Sequence, residues 1–72
     1  MDNIDDELNN RFTYHPPRDA EQVETYRCVR AVGLTLARAI ARAAPNSEER
    51  KIALDHVDAA VMWANAAIAR RT

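Results

Sequence analysis

The side chains able to do covalent chemistry are few. There is one cysteine, Cys28, one serine, Ser47, and two histidines, His15 and His56, well apart in sequence. Catalysis needs a nucleophile beside a base, a carboxylate pair in a pocket, or a metal with an open position. Cys28 lies in an apolar helical run, where a thiol is ordinarily buried. Ser47 stands at a helix start, and His56, between Asp55 and Val57, reads as a half-exposed helical residue. Cys28, His15 and His56 have none of the paired spacings of a four-coordinate zinc site, and Cys28 has no disulfide partner. No enzyme activity, metal or other cofactor is expected.

Binding chemistry is better represented. Arg27, Arg30, Arg38 and Arg42 share one helical segment, and the first three fall along one edge. They form either a solvated face paired with Glu21 and Glu24 or a row that meets an anion. Arg70 lies near a helix C-terminus, where it offsets the negative dipole end or reaches a ligand. Tyr14, beside Pro16-Pro17, is placed to staple the loop to the core or to stack on a base. Trp63 shares a helical face with Ile52, Ala59, Ala66 and Arg70 and reads as core or interface. Asn65, between Ala64 and Ala66, needs a hydrogen-bond partner across a contact or on a ligand.

Three helices must position these groups, so the expected class is all-α. Asn3 caps a short helix over about residues 3–11, with Asp5, Asp6 and Glu7 at its positive end and an apolar stripe of Ile4, Leu8 and Phe12. Pro16-Pro17 removes two amide donors and makes residues 13–18 an extended connector, ordered by its rings. Asp19 and Gln22 read as a capping box opening a helix over about 19–44. Tyr26, Val29, Gly33, Leu36, Ile40 and Ala43 form its main stripe, and Val23, Leu34, Ala37 and Ala41 a neighbouring one. Pro45 breaks the chain, and Asn46 with Glu49, or Ser47 instead, caps a helix over about 46–70. Its stripe is Leu54, Val57, Val61, Ala64 and Ile68, yet residues 59–69 are apolar nearly all round, so it should be enclosed on several sides. The short break makes the two long helices an antiparallel hairpin.

Two helices cannot enclose one of themselves. A single domain of 72 residues buries only about 60% of its unfolded surface, and self-assembly is the common remedy. Gly33 costs about 1 kcal/mol relative to alanine inside a helix, so its use is close helix approach, expected at the interfaces between copies. Ten Lys and Arg against eleven Asp and Glu give a formal net charge of −1, which argues against a DNA or RNA polymer as partner. A helix-turn-helix DNA reader competes, but the Ala-rich third helix is not basic until Arg70-Arg71. No apolar run is long enough to span a bilayer, and the acidic start Met1-Asp2-Asn3 does not suit a secretory signal, so a cytoplasmic protein is expected.

The run Tyr14-His15-Pro16-Pro17, the helix with Tyr26 and Arg30, the Pro45 break and above all the segment Ala60-Val61-Met62-Trp63-Ala64-Asn65-Ala66-Ala67-Ile68-Ala69-Arg70 resemble the phage anti-CBASS cyclic-nucleotide sponges of the second class. The resemblance covers about residues 12–71, and its Met-Trp-Ala-Asn-Ala part is the specific one. It implies a compact homohexamer in the cytoplasm of an infected bacterium. Such a sponge sequesters cyclic dinucleotides, and cyclic trinucleotides at separate pockets, without cleaving them. CBASS effectors then stay unactivated. By the same resemblance Tyr14 is the base-stacking tyrosine and Arg70 the arginine tied to trinucleotides. The family's basic residue on the second helix is a lysine in a close relative, where this helix carries only arginines; Arg30 is the first candidate and Arg27 the second. His15 is an accessory to either pocket. The competing reading is a self-assembling helical adaptor or small DNA-binding regulator without a cyclic-nucleotide ligand.

Overall fold

Each helix begins where a short polar side chain can replace a missing backbone acceptor. In the computed structural model, which describes residues 3–72, α1 runs Ile4–Phe12, α2 Ala20–Ala43 and α3 Glu48–Arg71. Met1 and Asp2, on which part of the secretory-signal argument rests, lie outside the described residues. The Asp6 amide donates to Asn3 Oδ1, the Gln22 amide to Asp19 Oδ1 at 2.8 Å, and the Arg50 amide to Ser47 Oγ at 3.1 Å.

Two capping expectations are corrected. Gln22 does not return its side chain to the Asp19 amide. Its Oε1 accepts from the Arg18 amide at 2.7 Å, one residue earlier, and its Nε2 donates to Thr72 Oγ1 at 3.1 Å. That ties the connector and the start of α2 to the end of α3, and it leaves Gln22, 6% exposed, as the buried polar residue of the described chain. Ser47, not Asn46, caps α3. Asn46 Oδ1 instead accepts from Arg50 Nη2 at 3.1 Å, while Arg50 Nη1 reaches the Ala41 carbonyl at 3.2 Å. Arg50 thereby closes the hairpin turn through one carbonyl that α2's last turn leaves free.

The hairpin seam follows the expected α3 stripe, with Leu54, Val57, Val61, Ala64 and Ile68 all half-buried. On α2 the half-buried set is Tyr26, Val29, Gly33, Ala37 and Ile40, so Ala37 replaces Leu36 in the seam. Gly33 acts inside the hairpin. A Cβ there would come within 2.5 Å of Val61 Cγ2, so hydrogen at this position sets how closely α2 and α3 approach.

Among the described residues no hydrophobic side chain is buried. Val23, Val32, Leu34, Leu36, Ile52, Met62 and Trp63 are exposed on the hairpin, as are Ile4, Leu8 and Phe12 on α1. Cys28, expected to be buried, is also exposed. The protomer is a long plate of 48 × 30 × 17 Å with a radius of gyration of 15.8 Å, against about 11 Å for a compact chain of this length. Among the described residues no helix is long and apolar enough to cross a membrane.

Candidate functional site

The connector between α1 and α2 is pinned on both sides of Tyr14. Thr13 Oγ1 donates to the Asn9 carbonyl, and His15 Nε2–H donates to the Asn10 carbonyl at 2.6 Å. These bonds cap the last carbonyls of α1 and hold the loop, while the Tyr14 ring stays 82% exposed. The staple role for Tyr14 is therefore not realised within the protomer. His15 anchors the loop through a ring nitrogen that must carry its proton to donate.

The two helix-two candidates differ electrostatically. Arg27 donates from Nε to Glu24 Oε2 at 2.9 Å and from Nη2 to Glu24 Oε1. Hydrogen bonding and charge attraction hold the Glu24 carboxyl below its ordinary value and the Arg27 guanidinium above its own. Arg30 makes no ion pair among the described residues. It lies at a shallow groove with Gly33, Leu34, Leu54 and Asp58. Of the two candidates, Arg30 is thus the one whose charge is not already balanced.

Arg70 sits at the far end of the hairpin, where α1 meets α3. Asn10 Nδ2 donates to the Arg70 carbonyl at 3.1 Å. Beside it Glu7 accepts from Arg71 Nη1 at 3.0 Å and, across α1, from Arg11 Nε at 3.0 Å. Two guanidiniums on one carboxylate pull the Glu7 pKa down to about 2, the hydrogen bond from Arg71 being the larger cause and that from Arg11 the next. Arg11, Phe12, Trp63, Ala66, Ala67, Arg70 and Arg71 line a groove of about 490 Å³. Phe12 is 85% and Trp63 70% exposed.

A second concavity, of about 510 Å³, is almost wholly apolar and runs between α2 and α3, lined by Val29, Val32, Leu36, Val57 and Val61 with Cys28 and His56 at its edge. Tyr14 lines none of these grooves, and neither the arginine of α2 nor Arg70 shares one with it. Within one protomer Tyr14 and His15 lie on the connector, Arg27 and Arg30 on α2, and Arg70 at the end of α3, where Asn10 links it to the connector by accepting from His15 and donating to the Arg70 carbonyl.

The model of the Acb2/Tad1 hairpin domain matches residues 5–69. The chain belongs to the Acb2/Tad1 hairpin family. The match takes in nearly all of α1, the connector and both long helices, so it covers the whole three-helix unit. No curated protein and no solved structure matches the chain. The Acb2/Tad1 family is one of anti-CBASS sponges, proteins that bind cyclic oligonucleotides. Family and fold agree with the resemblance carried by Tyr14-His15-Pro16-Pro17 and the Met62–Ala66 segment. The cluster around Glu7 was not anticipated, because Arg71 and Glu7 meet only in three dimensions. Its Glu7–Arg11 half has the one-turn spacing of a helical ion pair and was open to reading.

Proposed function

We propose that this chain assembles as a homohexamer and sequesters cyclic dinucleotides, and cyclic trinucleotides at separate pockets, without cleaving them. In the bacterial cytoplasm during infection, this lowers the free messenger and keeps CBASS effectors off. Family membership across residues 5–69 carries the reading. The protomer's surface supports the assembly. Its accessible area is 5840 Å², where a folded chain of this mass exposes about 4500 Å². That excess is larger than the roughly 800 Å² each partner contributes to a standard interface.

Exposure of Tyr14 and the free charge of Arg30 support the dinucleotide half. A cyclic dinucleotide has approximate two-fold symmetry, so a two-fold interface can present one tyrosine and one arginine from each side. Because Tyr14 and Arg30 line no common groove of the protomer, the pocket forms between copies. Arg70 serves the trinucleotide, at the end of α3, and His15 holds the connector that carries Tyr14. The protein hydrolyses nothing in this scheme; the messenger is removed by tight binding to an abundant protein.

Calorimetric titration with cyclic di-AMP and cyclic tri-AMP, with mass measured in solution, tests the proposal. The expected result is saturable heat with a hexameric mass, and intact nucleotide recovered after denaturation. No heat with either nucleotide, or recovery of cleaved product, overturns it.

A further inference from the structure

We propose that Gln22 is a positioning residue for Tyr14, holding the connector that carries the ring against the last turn of α3. The proposal rests on the sponge reading and deepens its dinucleotide half. Tyr14 is 82% exposed, so packing within the protomer does little to orient its ring, and its place depends on the backbone of residues 13–18. Pro16 and Pro17 have no amide hydrogen with which to anchor that backbone. The Arg18 amide is the first donor after them, and it donates to Gln22 Oε1 at 2.7 Å. Thr13 and His15 fix the connector to α1; Gln22 fixes its other end.

The side chain does this from a buried place. Gln22 is 6% exposed, and its Nε2 donates at 3.1 Å to Thr72 Oγ1, whose own proton goes to the Ile68 carbonyl. The two ends of the amide cannot exchange places, because the Arg18 N–H must meet an acceptor. Among the described residues, the side-chain hydrogen bonds that join positions fifty or more apart all end on residues 70–72. Glu7 and Asn10 bring α1 to that turn, and Gln22 brings the start of α2. The last turn of α3 is thus the common anchor of the segments on either side of Tyr14. The cap of α2 has a separate source, since it uses the main-chain amide of Gln22 on Asp19 Oδ1 and survives a change of side chain. A ring already held in its binding position costs less to order when the ligand arrives. A connector released from α3 holds the ring there for only part of the time, and apparent affinity falls by that fraction.

Calorimetry on the full-length protein with cyclic di-AMP and cyclic tri-AMP, with mass measured in solution, tests the role. Gln22→Met and Thr72→Val should each weaken cyclic di-AMP binding by about threefold to tenfold, at wild-type mass and with cyclic tri-AMP affinity within about twofold of wild type. Thr72→Ser keeps the hydroxyl and should bind as the wild type does. The double variant should bind as Gln22→Met does, because both changes break the same bond. Hydrogen exchange at the Arg18 amide should quicken in Gln22→Met. If Gln22→Met fails to fold, Thr72→Val with its Thr72→Ser rescue decides the matter. Cyclic di-AMP affinity within about twofold of wild type in the folded variants, equal losses for both nucleotides, or an altered mass overturns the positioning role alone. Absence of heat with both nucleotides in the wild type overturns the sponge reading and this role with it.

Discussion

At the scale of single residues, the structure separates groups that look alike in sequence. Arg27 and Arg30 are one helical turn apart, yet one is held by Glu24 and the other is not. Under the proposed function, Arg30→Ala should weaken cyclic di-AMP binding by about tenfold or more, and Arg27→Ala by much less, since its charge is already balanced. Calorimetry on the two variants checks the order, and equal losses would count against it. Tyr14→Ala should cost a similar or larger factor, as base stacking contributes about 1–3 kcal/mol per base, with no change in helicity because the ring contacts solvent. Gly33 was legible as a point of close approach, but its partner was not. Gly33→Leu forces a side chain into Val61, and overpacking of this kind costs about 1–3 kcal/mol or more. A fall in thermal midpoint is therefore expected in the protomer itself, ahead of any effect on assembly.

At the scale of elements, α1 is the segment whose attachment depends on charge. Its apolar stripe of Ile4, Leu8 and Phe12 faces solvent, and it is joined to α3 by the Glu7–Arg71 pair and the Asn10 bond to the Arg70 carbonyl. The Glu7 carboxyl titrates at about 2 in the folded chain against an ordinary 4.5. A depressed carboxylate pKa contributes stability that is present in full above the unfolded value and is lost as pH falls through the folded one. The α1 tether should thus be intact above pH 4.5 and released between there and pH 2. Chemical shifts of α1 amides followed by NMR should move through that window in the wild type, and Glu7→Gln should already show the released shifts at neutral pH. The hairpin turn has a different source of order. Ser47→Ala removes the α3 cap and should lower stability by about 1 kcal/mol in denaturant unfolding, while Asn46→Ala, which loses only a bond to Arg50, should cost less. Helix number and the Pro45 break were readable because capping and proline are local. The choice between Asn46 and Ser47 was not, since both offer an oxygen at nearly the same place.

At the scale of the whole molecule, the protomer is unfinished. Two helices of 24 residues each bury one seam, and Trp63, Met62, Leu34 and Leu36 are left outside it. Assembly on the apolar groove, which Val32 and Leu36 line, should bury those two exposed side chains. Mutating Val32→Asp there should dissociate the assembly, read as a drop in mass by light scattering, and lower the thermal midpoint with it. Retention of the hexamer mass would show that this face is not an interface. Asn65 bears on the same point: its Oδ1 is buried without a hydrogen-bond partner in the protomer, so the partner its sequence position demands is not supplied by the hairpin.

Local chemistry determined the helices, their caps, the proline breaks and the all-α class, because each depends on residues within a few positions of one another. The excess of apolar surface over what a hairpin can bury was equally visible, as was the family through its Tyr-His-Pro-Pro and Met-Trp-Ala-Asn-Ala segments. Tertiary structure decided which residues meet across the chain. It set Gly33 against Val61, joined Gln22 to Thr72, brought Glu7 between Arg11 and Arg71, and placed Phe12 beside Trp63 in one groove. Such meetings depend on the angle and register at which helices pack, and no run of sequence carries that information by itself.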